Sequence, residues 1–152
     1  MSRTMYESDI DRFYETMVMD FLREKREVNL YKMPMSYRLD CVAFRDGKCV
    51  GFAEIKRRKN NFRTYPTYMI ALSKVIAAQQ LTDTTGLPCF LFVVFEDYLA
   101  SLDFSSHYEI GLGGRTDRND PADREPCAYY PMDAFAIVRG FINVNERTEK
   151  WH

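Results

Sequence analysis

The chain has only two histidines, His107 and His152, and its four cysteines form no CxxC pair. Without a CxxC pair, and with one of the two histidines at the last position, a structural zinc site is not expected. Cys41, Cys49, Cys89 and Cys127 lie in apolar, strand-like stretches, where free thiols act as small hydrophobes, so a reducing, cytoplasmic setting is expected. Neither sign of charge is in excess: 21 Lys and Arg against 22 Asp and Glu give a net charge of -1. Any polyanion would have to be held by a local patch. No apolar run reaches the roughly eighteen residues of a membrane span, and the opening MSRTMYESDIDRF has no apolar signal core, so neither anchor nor export signal is expected. Repeats, low-complexity tracts and dividing linkers are also missing, and residues 1–152 read as one domain. What is present, 46% hydrophobic and 14% aromatic residues, is enough to bury a core at this length.

Hydrophobic periodicity orders the chain. Ile10, Phe13, Tyr14, Met17, Val18, Phe21 and Leu22 make an amphipathic helical stripe between Glu7 and Leu22. "VNLYKMP" reads as a short strand stopped at Pro34. Tyr37 to Phe44 and Cys49 to Arg57 flank Asp46-Gly47, a strong hairpin signal. Pro66 suits a first helical position, with a stripe of Met69, Ile70, Leu72, Val75, Ile76 and Leu81 running toward Gly86. "PCFLFVVFE" has the continuous apolar character of a buried central strand. The expected order is helix, strand, strand, strand, helix, strand. "HYEIGLGGR" adds a strand, "TDRNDPADREP" a polar loop, and "CAYYPMDAFAIV" a strand followed by a proline-started helical turn. The fold class is therefore α/β, a mixed sheet flanked by helices, with a C-terminal strand and helix extension.

Charges inside apolar strands mark the hairpin as unusual. Asp40 on one strand and Glu54 and Lys56 on the next need solvent, one another or a metal ion. A two-residue Asp46-Gly47 loop would pair Asp40 with Ala53 and leave Glu54 and Lys56 on the opposite face. A three-residue Arg45-Asp46-Gly47 turn with a left-handed Gly47 would pair Asp40 with Phe52 and bring Asp40, Glu54 and Lys56 onto one face. The three-residue turn is the expectation. Two carboxylates held together repel unless a cation lies between them, and hard oxygen ligands suit Mg²⁺ or Mn²⁺. Lys56 would point into the same site, where it can hold an attacking water or the scissile phosphate.

Leu39-Asp40 followed across a hairpin by Glu54-Ile55-Lys56 resembles the signature of the PD-(D/E)XK nuclease superfamily, with Leu39 at the nominal proline. The resemblance runs from about Glu7 to Glu96 and matches that superfamily's helix, three strands, helix, strand core. It implies metal-dependent hydrolysis of DNA, with Asp40, Glu54 and the Ile55 carbonyl as ligands and Lys56 as the catalytic lysine. A first-helix glutamate is a further ligand in many members. Glu15 matches that position, and Glu7 and Asp11 are rivals.

The basic run Arg57, Arg58 and Lys59, with Arg63 beyond it, follows the proposed site directly and would contact DNA phosphates; alone, such a run reads as a solvated strand end. Lys74 on the second helix is a further DNA candidate, as is Arg115 in the "GLGGR" turn, which lacks the lysine and hydroxyl of a phosphate loop. Tyr65 and Tyr68 could stack on bases, although aromatics there also serve as core residues. Ser106-His107 has neither a nucleophile elbow nor a placed acid. The alternatives to a DNase are a fold relative that binds nucleic acid or protein without cutting, and an interaction protein in which the three charges form a buried ion cluster. DNA is the expected partner, and a homodimer would address two strands.

Overall fold

The computed structural model describes residues 9–34, 39–114 and 124–141, which hold two helices, nine strands and one 3-10 turn. Helix α1 (Asp9–Arg26) buries Tyr14, Val18, Phe21 and Leu22 along one stripe. Asp9 and Asp11 at its start and Arg23, Lys25 and Arg26 at its end complement the helix dipole. Ile10 and Phe13, expected on the stripe, remain exposed, so burial begins at Tyr14.

Six strands form the main sheet in the order β1-β2-β3-β5-β6-β9: β1 (Asn29–Lys32), β2 (Cys41–Arg45), β3 (Lys48–Arg57), β5 (Cys89–Val94), β6 (Tyr98–Asp103) and β9 (Ala136–Gly140). Only β3 and β5 run parallel; the other neighbours are antiparallel, which makes the sheet mixed. A smaller antiparallel sheet takes the order β4-β8-β7, from β4 (Thr67–Ala71), β8 (Arg124–Pro131) and β7 (Glu109–Gly114). Helix α2 (Leu72–Thr85) lies in the crossover from β3 to β5.

Two apolar clusters bind these layers. In one, Tyr14, Val18, Phe21 and Leu22 of α1 pack on Cys41, Ala43, Ala53 and Ile55. In the other, Val75 and Ala78 of α2 join Tyr68, Ile70, Ala128 and Tyr130 of the small sheet around Leu91 and Val93. Helices thus flank the main sheet, and the small sheet shares the layer of α2.

Three local features depart from the sequence expectations. Met69 and Ile70 lie in β4, and the helix starts only at Leu72. Their pairing with Tyr129 and Ala128 of β8 supplies strand hydrogen bonds that outweigh the helical pattern. Tyr68 and Ile70 are buried and Met69 exposed, the alternation of a strand. The helix does end as expected at Gly86, left-handed at φ 76, with its N–H donating to Thr82 O at 2.8 Å. Strands β6 and β9 were not anticipated: both are short, and β6 follows β5 through a tight turn closed by Phe95 N–H on Tyr98 O. The 3-10 turn Met132–Ala134 occupies the expected proline-started position, while the "TDRNDPAD" loop lies outside the described residues.

The third departure is in the β2–β3 hairpin. Arg45 pairs with Lys48, so the turn has two residues, with Asp46 at φ 52 and Gly47 at φ 76. Both values are those of a type I′ turn, whose twist matches the strands and for which Asp-Gly is a preferred pair. The expected three-residue turn is therefore incorrect. One register step later, however, Phe44 pairs with Cys49 and Ala43 with Gly51, leaving Val50 as an inserted bulge residue. The bulge restores the parity that the shorter turn removed. Gly51 is required beside it: a Cβ there would lie 2.7 Å from Pro88 O, which accepts the Phe52 N–H at 3.0 Å.

Candidate active site

Beyond the bulge, Val42 pairs with Phe52 and Cys41 with Ala53, and one further step brings Asp40 opposite Glu54. The side chains lock that arrangement. Asp40 N–H donates to Glu54 Oε1 at 3.2 Å, and Ile55 N–H donates to Asp40 Oδ2 at 3.1 Å. Asp40 stands just ahead of β2, where Met33 N–H bonds its carbonyl at 2.8 Å, and Leu39 beside it is a core residue.

Glu54 is 1% exposed, the most deeply buried charged side chain of the site. Two lysines reach its Oε2, each at 3.4 Å: Lys56 from the same strand and Lys74 from α2. Burial raises the Glu54 carboxyl above its ordinary range, the neighbouring Asp40 raises it further, and Lys74 and Lys56 oppose both. The same field reaches Cys41, whose thiol is pushed up to about 12 by burial first and then by Asp40 and Glu15.

Glu15 is buried on α1 and pairs with Lys32 of β1 at 2.8 Å. It lines a cleft of about 330 Å³ together with Asp11, Asp40, Lys56, Arg57 and Arg58. Of the three first-helix candidates, Glu15 and Asp11 thus border the site, while Glu7 lies outside the described residues. Among the described residues no three His, Cys, Asp or Glu side chains gather into one metal-binding group. Asp40 and Glu54 form a pair.

The basic residues divide by position. Arg57 stacks over the Tyr14 ring at 4.7 Å and Arg58 over the Tyr68 ring at 4.7 Å, and Arg58 also donates to Arg57 O and Met69 O. Lys59 is exposed just past the strand. Arg63, also exposed, pairs with Asp133 at 3.2 Å and lies over Phe62. Lys74, expected only on a DNA-facing surface, contacts the buried carboxylate, and Arg115 lies outside the described residues. Sequence reasoning missed Lys32 and the inward role of Lys74. For Lys74 the available signal was its place next to Val75, the first fully buried residue of α2.

Among solved structures, the fold resembles the Holliday junction resolvase Hjc of the archaeal hyperthermophile Archaeoglobus fulgidus. The TM-score is 0.50 at 12% identity, over 79% of this chain and 89% of that one. No curated protein matches the sequence. A comparison with protein families matches residues 1–138 to the family described as "Phage putative PDDEXK endonuclease". The chain belongs to this PD-(D/E)XK endonuclease family, and its helix-flanked mixed sheet is similar in fold to that resolvase.

Proposed function

We propose that this nuclease is a divalent-metal-dependent endonuclease that hydrolyses DNA phosphodiester bonds, using Mg²⁺ or Mn²⁺. The reading rests on the meeting of Asp40 and Glu54 across the hairpin, with Lys56 beside them on the same strand. The donors fit a hard cation: two carboxylates, one buried and raised by the other's charge, and the Ile55 carbonyl, which an extended strand directs to the same edge as the N–H that meets Asp40. Glu15 would add an oxygen from α1. When bound, the ion lowers the pKa of a water and polarises a phosphoryl oxygen.

The chain's own residues supply the rest. Lys56 Nζ, oriented by Glu54 Oε2, holds the attacking water or the scissile phosphate. Lys74 neutralises Glu54 from α2 and positions it. Arg57 and Arg58, braced on Tyr14 and Tyr68, present guanidinium groups to DNA phosphates, and Lys59 and Arg63 extend the basic edge. A homodimer would place one such site on each strand.

Two lysines on one carboxylate favour a second reading, a buried ion cluster in a module that binds without cutting. The test is incubation of the wild type and of Lys56→Ala with linear, circular, single-stranded and branched DNA in Mg²⁺ or Mn²⁺. Cutting by the wild type alone supports the endonuclease. No cutting of any DNA at millimolar metal leaves the ion cluster.

A further inference from the structure

A second cleft, of about 430 Å³, opens on the small-sheet side of Arg58. Its volume is within the roughly 300–1,000 Å³ range of small-ligand sites. Its walls are aromatic rings, Phe62, Tyr65, Tyr68, Phe95 and Tyr129, with Met69 at the edge. Phe62, Tyr68 and Phe95 belong to the buried core and Tyr129 is half-buried, whereas Tyr65 is 61% exposed and Met69 41% exposed. Arg58 lines both this cleft and the one that holds Asp40 and Lys56, so the two share a wall. The inner side carries an unsatisfied group: Tyr68 Oη is buried with no hydrogen-bond partner among the described residues.

From these features we infer that the aromatic cleft binds one unstacked nucleobase of the DNA strand whose phosphate lies in the Asp40–Lys56 cleft. The inference rests on the nuclease reading and narrows its substrate to DNA with an unpaired base beside the cut. A strand that leaves the phosphate cleft past Arg58 carries its next base toward Tyr65. The exposed Tyr65 ring accepts any base by stacking, and the Arg58 guanidinium, which lies 4.7 Å over the buried Tyr68 ring, bridges phosphate and base. An apolar peptide would use the same rings but would gain nothing from the cation at the shared wall. A fully paired duplex offers no free base and would leave the cleft unused.

Fluorescence anisotropy, with Ca²⁺ in place of Mg²⁺ to separate binding from cutting, tests this on three DNAs. They are a duplex with one unpaired adenine, the same duplex with an abasic residue at that place, and the fully paired duplex. The wild type is expected to prefer the unpaired adenine over the abasic DNA by about 5- to 50-fold. Tyr65→Ala, at an exposed position, should lose that preference while binding the paired duplex as before, and Tyr65→Phe should retain it. Equal wild-type affinity for unpaired and abasic DNA overturns the base site, as does a Tyr65→Ala loss that is equal on all three. Wild-type binding to none of them overturns the nuclease reading and the base site together.

Discussion

Lys74→Met keeps the length of the side chain and removes its charge, 3.4 Å from Glu54 Oε2. Two unit charges at this distance attract by about 5 kcal/mol at an effective dielectric of about 20. That figure is an upper bound, because the contact is long, Lys56 still faces the same oxygen, and the Lys74 side chain retains 26% exposure. We expect a loss of about 1–3 kcal/mol where Glu54 is ionised. The pH dependence identifies the cause. Glu54 is raised in the folded protein by burial and then by Asp40, so the fold binds more protons than the unfolded chain above the ordinary value of 4.5. Its contribution to stability is therefore greatest in acid and declines as pH rises through the folded pKa. Removing Lys74 raises that pKa further. Below the wild-type folded pKa, Glu54 is protonated in both proteins and the lysine faces no charge; above the variant's pKa the full loss appears. Urea unfolding followed by circular dichroism in chelator, from about pH 4 to about pH 9, should show a difference that grows with pH. A constant difference across that range, or none at its alkaline end, refutes the coupling of Lys74 to Glu54.

Asp40→Asn keeps an oxygen for the Ile55 N–H but removes the charge that, after burial, raises Glu54, so in chelator it should gain about 0.5–1.5 kcal/mol where Glu54 is ionised, read by urea unfolding, while losing Mn²⁺ binding by calorimetry. A fall in stability instead would place Asp40 in a structural ion cluster. Lys56→Ala should abolish hydrolysis with Mn²⁺ affinity nearly unchanged, since the lysine contacts water or phosphate; joint loss of both would make it part of the metal site. Gly51→Ala forces a Cβ against Pro88 O and should cost about 1–3 kcal/mol with reduced cutting, measured by denaturation and a nicking assay; an unperturbed variant would show that the bulge relaxes freely. Lys59→Ala, at an exposed position, should lower the salt slope of duplex binding by about 0.9 and leave the melting temperature unchanged.

The hairpin was legible because its signals are local. Asp46-Gly47 marks the turn, and the alternation of apolar and charged residues marks the strands. Its shared face was reached by a different route from the expected one: the turn is one residue shorter, and Val50 supplies the missing residue as a bulge. Gly51, a glycine inside the strand, was the local sign of that bulge and of the close approach of Pro88, thirty-odd residues further along the chain, but it does not by itself fix the register. Non-local pairing also hid β4, where β8 converts Met69 and Ile70 from helix pattern to strand. Asp40, Glu54 and Lys56 stood out as charges inside apolar strands, but their shared face depends on the Val50 bulge and not on spacing alone. The contact of Lys74 with Glu54 could not be read from the sequence, since it depends on how α2 docks over the sheet.

The parallel pairing of β3 with β5, the only one among the described residues, bears on how the site comes together in time. A hairpin such as β2–β3 closes locally, on the order of 1–10 μs, whereas parallel neighbours must await closure of the intervening crossover. Asp40 and Glu54 are therefore expected to meet early, with Lys56 of the same hairpin to offset their repulsion. Lys74 arrives with the crossover that carries it. On this order, assembly of the second layer would relieve a conflict created by the first, because Lys74 on α2 favours the ionised form of Glu54.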